Sequence, residues 1–141
     1  MRHRKHTAKL GRTTSHRRCM VANMLKSLVV HGSIQTTVAK AKEVRRHADR
    51  LITIAKDGSL AARRRAIAKL MIRFNSLTPK QARRAREGDQ NAFNDDRKVI
   101  GQLFDELGPR FAERNGGYTR IVRSTRQSGD NTEKCVLQFV E

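Results

Sequence analysis

The chain has no tryptophan, one tyrosine and five phenylalanines, so aromatics are 4% of its residues and any core must be built mainly from aliphatic side chains. A single-strand binder that stacks bases along an aromatic strip needs more exposed rings than this. Cysteine is also scarce: Cys19 and Cys135 lie near opposite ends, too few for a disulfide framework, and both are expected to be reduced thiols packing as small hydrophobes. No apolar run approaches the roughly 18–20 residues of a membrane span, and the basic N-terminus is not followed by the apolar segment of a secretory signal. A soluble, intracellular chain with no membrane partner is expected. Acids are outnumbered, with 13 Asp plus Glu against 31 Lys plus Arg and a net charge of +18 over 141 residues. Self-repulsion of that size disfavours an isolated compact state, so the chain belongs against a polyanion, most simply nucleic acid.

The charge is unevenly spread. Residues 1–42 contain ten Lys or Arg and no acid, Glu43 being the first, whereas residues 97–141 contain eight basic and six acidic side chains. The first half is thus expected to face the polyanion and the second to supply core and cover. Residues 1–14 have Leu10 as their only large aliphatic side chain after Met1, so they read as an extended arm that folds on binding. There Arg2, Arg4, Lys5, Lys9 and Arg12, with His3 and His6 between them, can each reach a phosphate.

Residues 15–141 read as a single α+β domain. Ser15 is expected to cap a helix with Val21, Met24, Leu25 and Leu28 inward and Gly32 as its stop. SIQTT suggests a short strand. From Val38 to Asp57, Ala41, Val44, Ala48, Leu51, Ile52 and Ala55 trace one apolar stripe, leaving Lys40, Lys42, Arg45, Arg46 and Arg50 on the flanks and opposite side. A third helix, capped by Ser59, is predicted to turn Leu60, Ile67, Leu70, Met71 and Phe74 inward, with at least one residue of the Arg63–Arg65 triplet snorkelling at the core rim. Thr78-Pro79-Lys80-Gln81 has the pattern of a capping box ahead of a short exposed helix, and residues 75–95 are taken as a surface excursion that the core can spare. Asp95 or Asp96 should cap the next helix, with Gly108-Pro109 breaking or kinking it and Gly116-Gly117 closing it. YTRIVRST and KCVLQFVE read as antiparallel strands joined by a turn, with Cys135, Leu137 and Phe139 on one face. The expectation is a two-layer α+β fold in the order α-β-α-α-α-β-β, with helices packed on a small sheet that includes the Ile34 strand.

Catalysis finds little support. His16 and Cys19 are spaced H-x-x-C, and His3 and His6 are H-x-x-H, but a structural zinc site needs four ligands and Cys135 is isolated. Asp95-Asp96 and Asp105-Glu106 are better explained as caps and surface charge than as a nuclease pair. Neither a G-x-x-x-x-G-K-[ST] loop nor a G-x-G-x-x-G fingerprint is present, so no cofactor, metal or small-molecule substrate is expected. Basic helices with a basic arm suit irregular folded RNA, which offers phosphates at many angles. Tyr118, between Gly117 and Arg120, is the one ring placed to stack on a base, and cover over the hairpin is an equal reading for it. A DNA-binding architectural protein shares the charge but should hold duplex DNA as tightly as structured RNA; an RNA-processing enzyme needs a metal or an acid-base pair.

The segments MRHRKH, KLGRTTSHRRCM, IQTTVAKAKEVRRHADRLITIAKDG and QLFDELGPRFAERNGGYTRI stand in this order along the chain. Together they resemble the bacterial large-subunit ribosomal protein L17 family, departing from it in Gln102, where the family pattern has Lys, and in residues about 72–95, which look like an insertion relative to shorter members. The resemblance implies a non-enzymatic structural component of the large ribosomal subunit, bound to its long ribosomal RNA near the outer end of the polypeptide exit tunnel and beside other large-subunit proteins in the cytoplasm. It also implies RNA contacts from Arg2 through Ser15, His16, Arg17 and Arg18, and a structural turn at Tyr118 and Arg120 close to RNA.

Overall fold

Seven residues of SIQTTVA carry the chain from sheet to helix without a loop: β1 (Ser33–Thr37) runs directly into α2 (Val38–Asp57). The computed structural model describes His3 and residues 8–140. Before β1 stands α1 (Thr14–His31); after α2 come α3 (Leu60–Leu70), α4 (Pro79–Arg86) and α5 (Asp95–Gly101), then a π-helical stretch (Gln102–Leu107) and α6 (Gly108–Arg110), and finally β2 (Thr119–Arg126) and β3 (Glu133–Phe139). The class is α+β as expected, and α4 is the short exposed helix anticipated after the Thr78–Gln81 capping box, lying within the excursion and additional to the helices counted in the core order.

The sheet is antiparallel in the order β1-β3-β2. Ile34, Leu137 and Ile121 lie in register across it, and because side chains alternate along a strand, Cys135, Leu137 and Phe139 all turn to the helices and are buried. Val136 and Gln138 share the opposite face with Gln35 and Arg120. The alternation predicted for KCVLQFVE is therefore the one that orients the sheet. One core joins this face to Leu25 and Leu28 of α1, Val44, Leu51 and Ile52 of α2, Leu70 of α3 and Leu103 of the π-helical stretch.

Several local expectations are corrected. The cap of α1 is Thr13 rather than Ser15, which sits exposed in the first turn. The arm turns before it reaches the helix: Leu10 and Gly11 both adopt left-handed backbone, and the Arg12 N–H donates to the Lys9 carbonyl. In α3 the buried stripe is Ala62, Ala66 and Leu70, whereas Leu60, Met71 and Phe74 are exposed. Small side chains on the inward face let α3 lie close to its neighbours, and the helix ends at Leu70 before Phe74 can join it. Arg63 does graze the core rim, its guanidinium 4.9 Å from the Phe104 ring. Asn94, accepting the Arg97 N–H, caps α5 in place of Asp95 or Asp96. Cys135 is buried but Cys19 is exposed, so only one thiol packs as a hydrophobe.

Gly108-Pro109 neither breaks nor ends the helix. A proline ring clashes with the carbonyl four residues back in a regular α-helix, and here the preceding turn widens into the π-helical stretch before α6 continues. Gly108 lets the helix lie close to α2: a Cβ there would stand 3.1 Å from the Ala55 carbonyl oxygen. The helix has ended before Gly116-Gly117, whose left-handed backbone instead turns the chain into β2.

The excursion is more firmly tied than a dispensable loop. Asn75 donates to the Ala92 carbonyl at 2.8 Å, and Asn94 donates to the Arg73 carbonyl. Arg97 lies over the Phe74 and Phe93 rings at 4.7 and 5.2 Å. Asp96 accepts from Lys26 of α1 and from the Arg73 N–H, both at 2.8 Å. Burial by itself raises the Asp96 carboxyl's pKa, but these bonds outweigh it and hold the group below its ordinary value. A depressed folded pKa contributes stability above the unfolded value and loses it as pH falls through the folded one. Asp96→Asn should therefore cost about 1–2 kcal/mol at neutral pH, with the difference from wild type closing in strong acid. Urea unfolding at both pH values checks this, and an undiminished difference in acid would remove the ion pair as its source.

Candidate nucleic-acid interface

Helical spacing sorts the α2 cations. Arg46 and Arg50, four residues apart, fall on the side shared with Glu43 and His47, whereas Lys42 and Arg45 fall on the side of Asp49, whose carboxylate accepts from the Thr119 hydroxyl at 3.0 Å. The first group faces a groove of about 690 Å³ between α1, α2 and α3. Arg17 and Arg18 enter it from α1 and Lys69 from α3, over a floor that includes Val21, Leu25 and Ala68. Five cations from three helices thus converge on one concave surface.

One anion lies among them. Glu43, the first acid of the sequence, is only 6% exposed and is paired with Arg46 and, at 3.6 Å, with His47. It orients Arg46 rather than neutralising the groove. Burial, and then the nearby Lys69, push the His47 pKa below its ordinary value against the opposing pull of Glu43. Lys69 is likewise lowered, by burial and then by Arg50. Arg50 and Lys69 thus act on one another as like charges across the groove.

The residues anticipated from sequence do not form one patch. Arg17, Arg18, Arg46 and Arg50 meet in the groove; His16 and Arg12 are exposed outside its lining, their side chains 3.4 Å apart. Lys9 is exposed in the arm, Lys40 is half-buried, and Lys42 and Arg45 are exposed away from the groove. Arg120 lies on the open face of the sheet. His3 is exposed, and Arg2, Arg4, Lys5 and His6 lie outside the described residues. Tyr118 is corrected: it is 4% exposed, edge-on to Phe111 at 5.3 Å with Lys56 5.7 Å from its ring, so it is cover over the hairpin and has no face to offer a base. His47 and Lys69 were missed. His47 carried a signal, the i+4 step from Glu43 on the face of Arg46 and Arg50; Lys69 carried none, because only the packing of α3 brings it there. Among the described residues no three His, Cys, Asp or Glu side chains gather as metal ligands.

The chain is thus a two-layer α+β domain in which cations from three helices turn into one groove. The family model for ribosomal protein L17 matches residues 20–140. The large ribosomal subunit protein bL17 of Protochlamydia amoebophila is 62% identical over 140 residues, and those of Chlamydia abortus and Chlamydia pneumoniae are 57% and 56% identical, each match covering 99% of both chains. The chain belongs to the ribosomal protein L17 family, and is a ribosomal structural protein rather than an enzyme. Because these relatives match along nearly their whole length, they have room for the same 75–95 excursion.

Proposed function

We propose that the chain is a structural constituent of the large ribosomal subunit that binds and stabilises folded large-subunit rRNA near the polypeptide exit tunnel, beside other large-subunit proteins. It works in the cytoplasm, in the ribosome. The observation that carries the RNA reading is the groove: Arg17, Arg18, Arg46, Arg50 and Lys69 crowd together with one buried carboxylate among them, an arrangement that phosphates relieve. The basic arm, from Arg2 to Arg12, adds contacts that thread between RNA helices, and Lys40, Lys42, Arg45 and Arg120 extend the basic surface around the domain. The hairpin fixes the angle at which the helices present these charges.

The test pairs competition with footprinting. Full-length protein bound to protein-free large-subunit rRNA is challenged with an excess of duplex DNA, and hydroxyl-radical protection is mapped on the RNA. The expected result is that rRNA is retained and that protection clusters around the tunnel mouth. Equal displacement by DNA would favour the architectural DNA-binding alternative, and protection confined to other regions would remove the tunnel assignment.

A further inference from the structure

α4 is an eight-residue helix, PKQARRAR, that buries none of its residues. Helices this short are marginal in water unless packing supports them. Here Pro79 starts the helix, and a complete capping box joins Thr78 to Gln81. The segment's base is closed by Asn75, Asn94 and the stack of Arg97 on Phe74 and Phe93. The fold therefore holds in place a helix that its core does not use.

What that helix presents is positive charge. Lys80, Arg83 and Arg84 stand at the i, i+3, i+4 spacing of one face with Arg86 beside them, all exposed, while Ala82 and Ala85 on the opposite face are half-buried. There is no acid in the first turn. Arg83, Arg84 and Arg86 lie in the last turn, where the macrodipole favours them, but Lys80 lies in the N-terminal turn, where it does not. Among the described residues none of these side chains has an ion pair, a hydrogen bond or a ring contact. α4 contributes nothing to the groove between α1, α2 and α3.

We infer that α4 is a second RNA-binding element, separate from the groove and the arm, whose cations grip the phosphate backbone of large-subunit rRNA. The identity of the RNA rests on the function proposed above; the site does not. A protein partner would be expected to meet a large apolar or aromatic anchor, and α4 exposes none: its exposed residues are Pro79, Lys80, Gln81, Arg83, Arg84 and Arg86, so phosphate is the occupant its chemistry fits. Recognition is by charge and carries no base specificity.

The experiment compares full-length wild type with a variant carrying Lys80→Gln, Arg83→Gln, Arg84→Gln and Arg86→Gln, on protein-free large-subunit rRNA across a salt series. Loss of four phosphate contacts should make the slope of log affinity against log salt shallower by about 3 to 4 and weaken binding about tenfold or more at low salt. One tract of hydroxyl-radical protection should vanish while the groove and arm footprints stay. A companion variant carrying Arg83→Lys, Arg84→Lys and Arg86→Lys keeps the charge and should bind nearly as wild type, and unchanged circular dichroism excludes misfolding. If wild type binds rRNA and the Gln variant matches it in affinity, slope and footprint, the second element is refuted while the groove reading survives. If wild type itself fails to bind, it is the proposed function that falls.

Discussion

Replacing Arg17, Arg18, Arg50 and Lys69 together by Gln is expected to weaken binding to large-subunit rRNA by roughly a hundredfold or more at low salt. A protein making 6–10 phosphate contacts loses about 10³–10⁵ in affinity between 50 and 200 mM salt, because counterions released on binding are easily returned. Four fewer contacts should make that dependence shallower by about 3 to 4 in logarithmic slope. The thermal transition of the free protein should at the same time hold or rise. Arg50 and Lys69 repel one another in the groove, and Arg17, Arg18 and Arg50 have no carboxylate partner among the described residues, so removing them relieves repulsion without breaking an ion pair. Arg46 is left in place because it is the ion-pair partner of the nearly buried Glu43, whose carboxylate would otherwise be stranded. Binding and stability should therefore move in opposite directions. A variant that lost both together would have failed by unfolding, and one that lost neither would show that the groove does not hold RNA. Filter binding over a salt series, with calorimetry on the same samples, reads both.

The sequence was most legible where one periodicity dominated. The α2 stripe from Ala41 to Ala55 is buried throughout, and the alternation around Cys135, Leu137 and Phe139 orients the sheet correctly because a period of two admits only one apolar face. It was least legible in α3, where the larger residues seemed the natural core. Burial there goes to Ala62 and Ala66, since close approach between helices selects small side chains, and no pattern in a single segment reveals how near its neighbour will come. The same holds for the site. That α2 and the arm bear the charge could be read from the acid-free first 42 residues. That α1 and α2 close on α3 to bring Lys69 beside Arg50, and that Lys42 and Arg45 turn away, depends on tertiary packing. Tyr118 shows the reverse error. A ring between a double glycine and an arginine looks available, but once the chain has folded back Phe111, seven positions earlier, takes the ring's edge at 5.3 Å.

Leu137→Ala is expected to have the largest effect on stability. Leu137 is fully buried on β3, the central strand, between Ile34 and Ile121 in register. Its removal leaves a cavity that strands paired on both sides cannot collapse to fill, so the cost should be about 2–5 kcal/mol. Domains are stable by only about 5–15 kcal/mol, and a net charge of +18 places the free chain at the weaker end of that range through self-repulsion. The substitution should thus lower the midpoint of thermal unfolding by roughly 10–20 °C. Salt offers an independent check, because screening weakens repulsion among exposed charges: wild type and Leu137→Ala should both melt higher at 0.5 M than at 0.05 M, even though that same salt strips the protein from RNA. Leu60→Ala is the control, since Leu60 is 64% exposed at the start of α3, and it should change stability by no more than about 0.5 kcal/mol. Equal costs at Leu137 and Leu60 would mean that the sheet face is not the core. A cost at Leu137 that rose steeply as salt was withdrawn would mean that charge, not packing, sets the stability of this domain, and that its fold is completed only when the polyanion is bound.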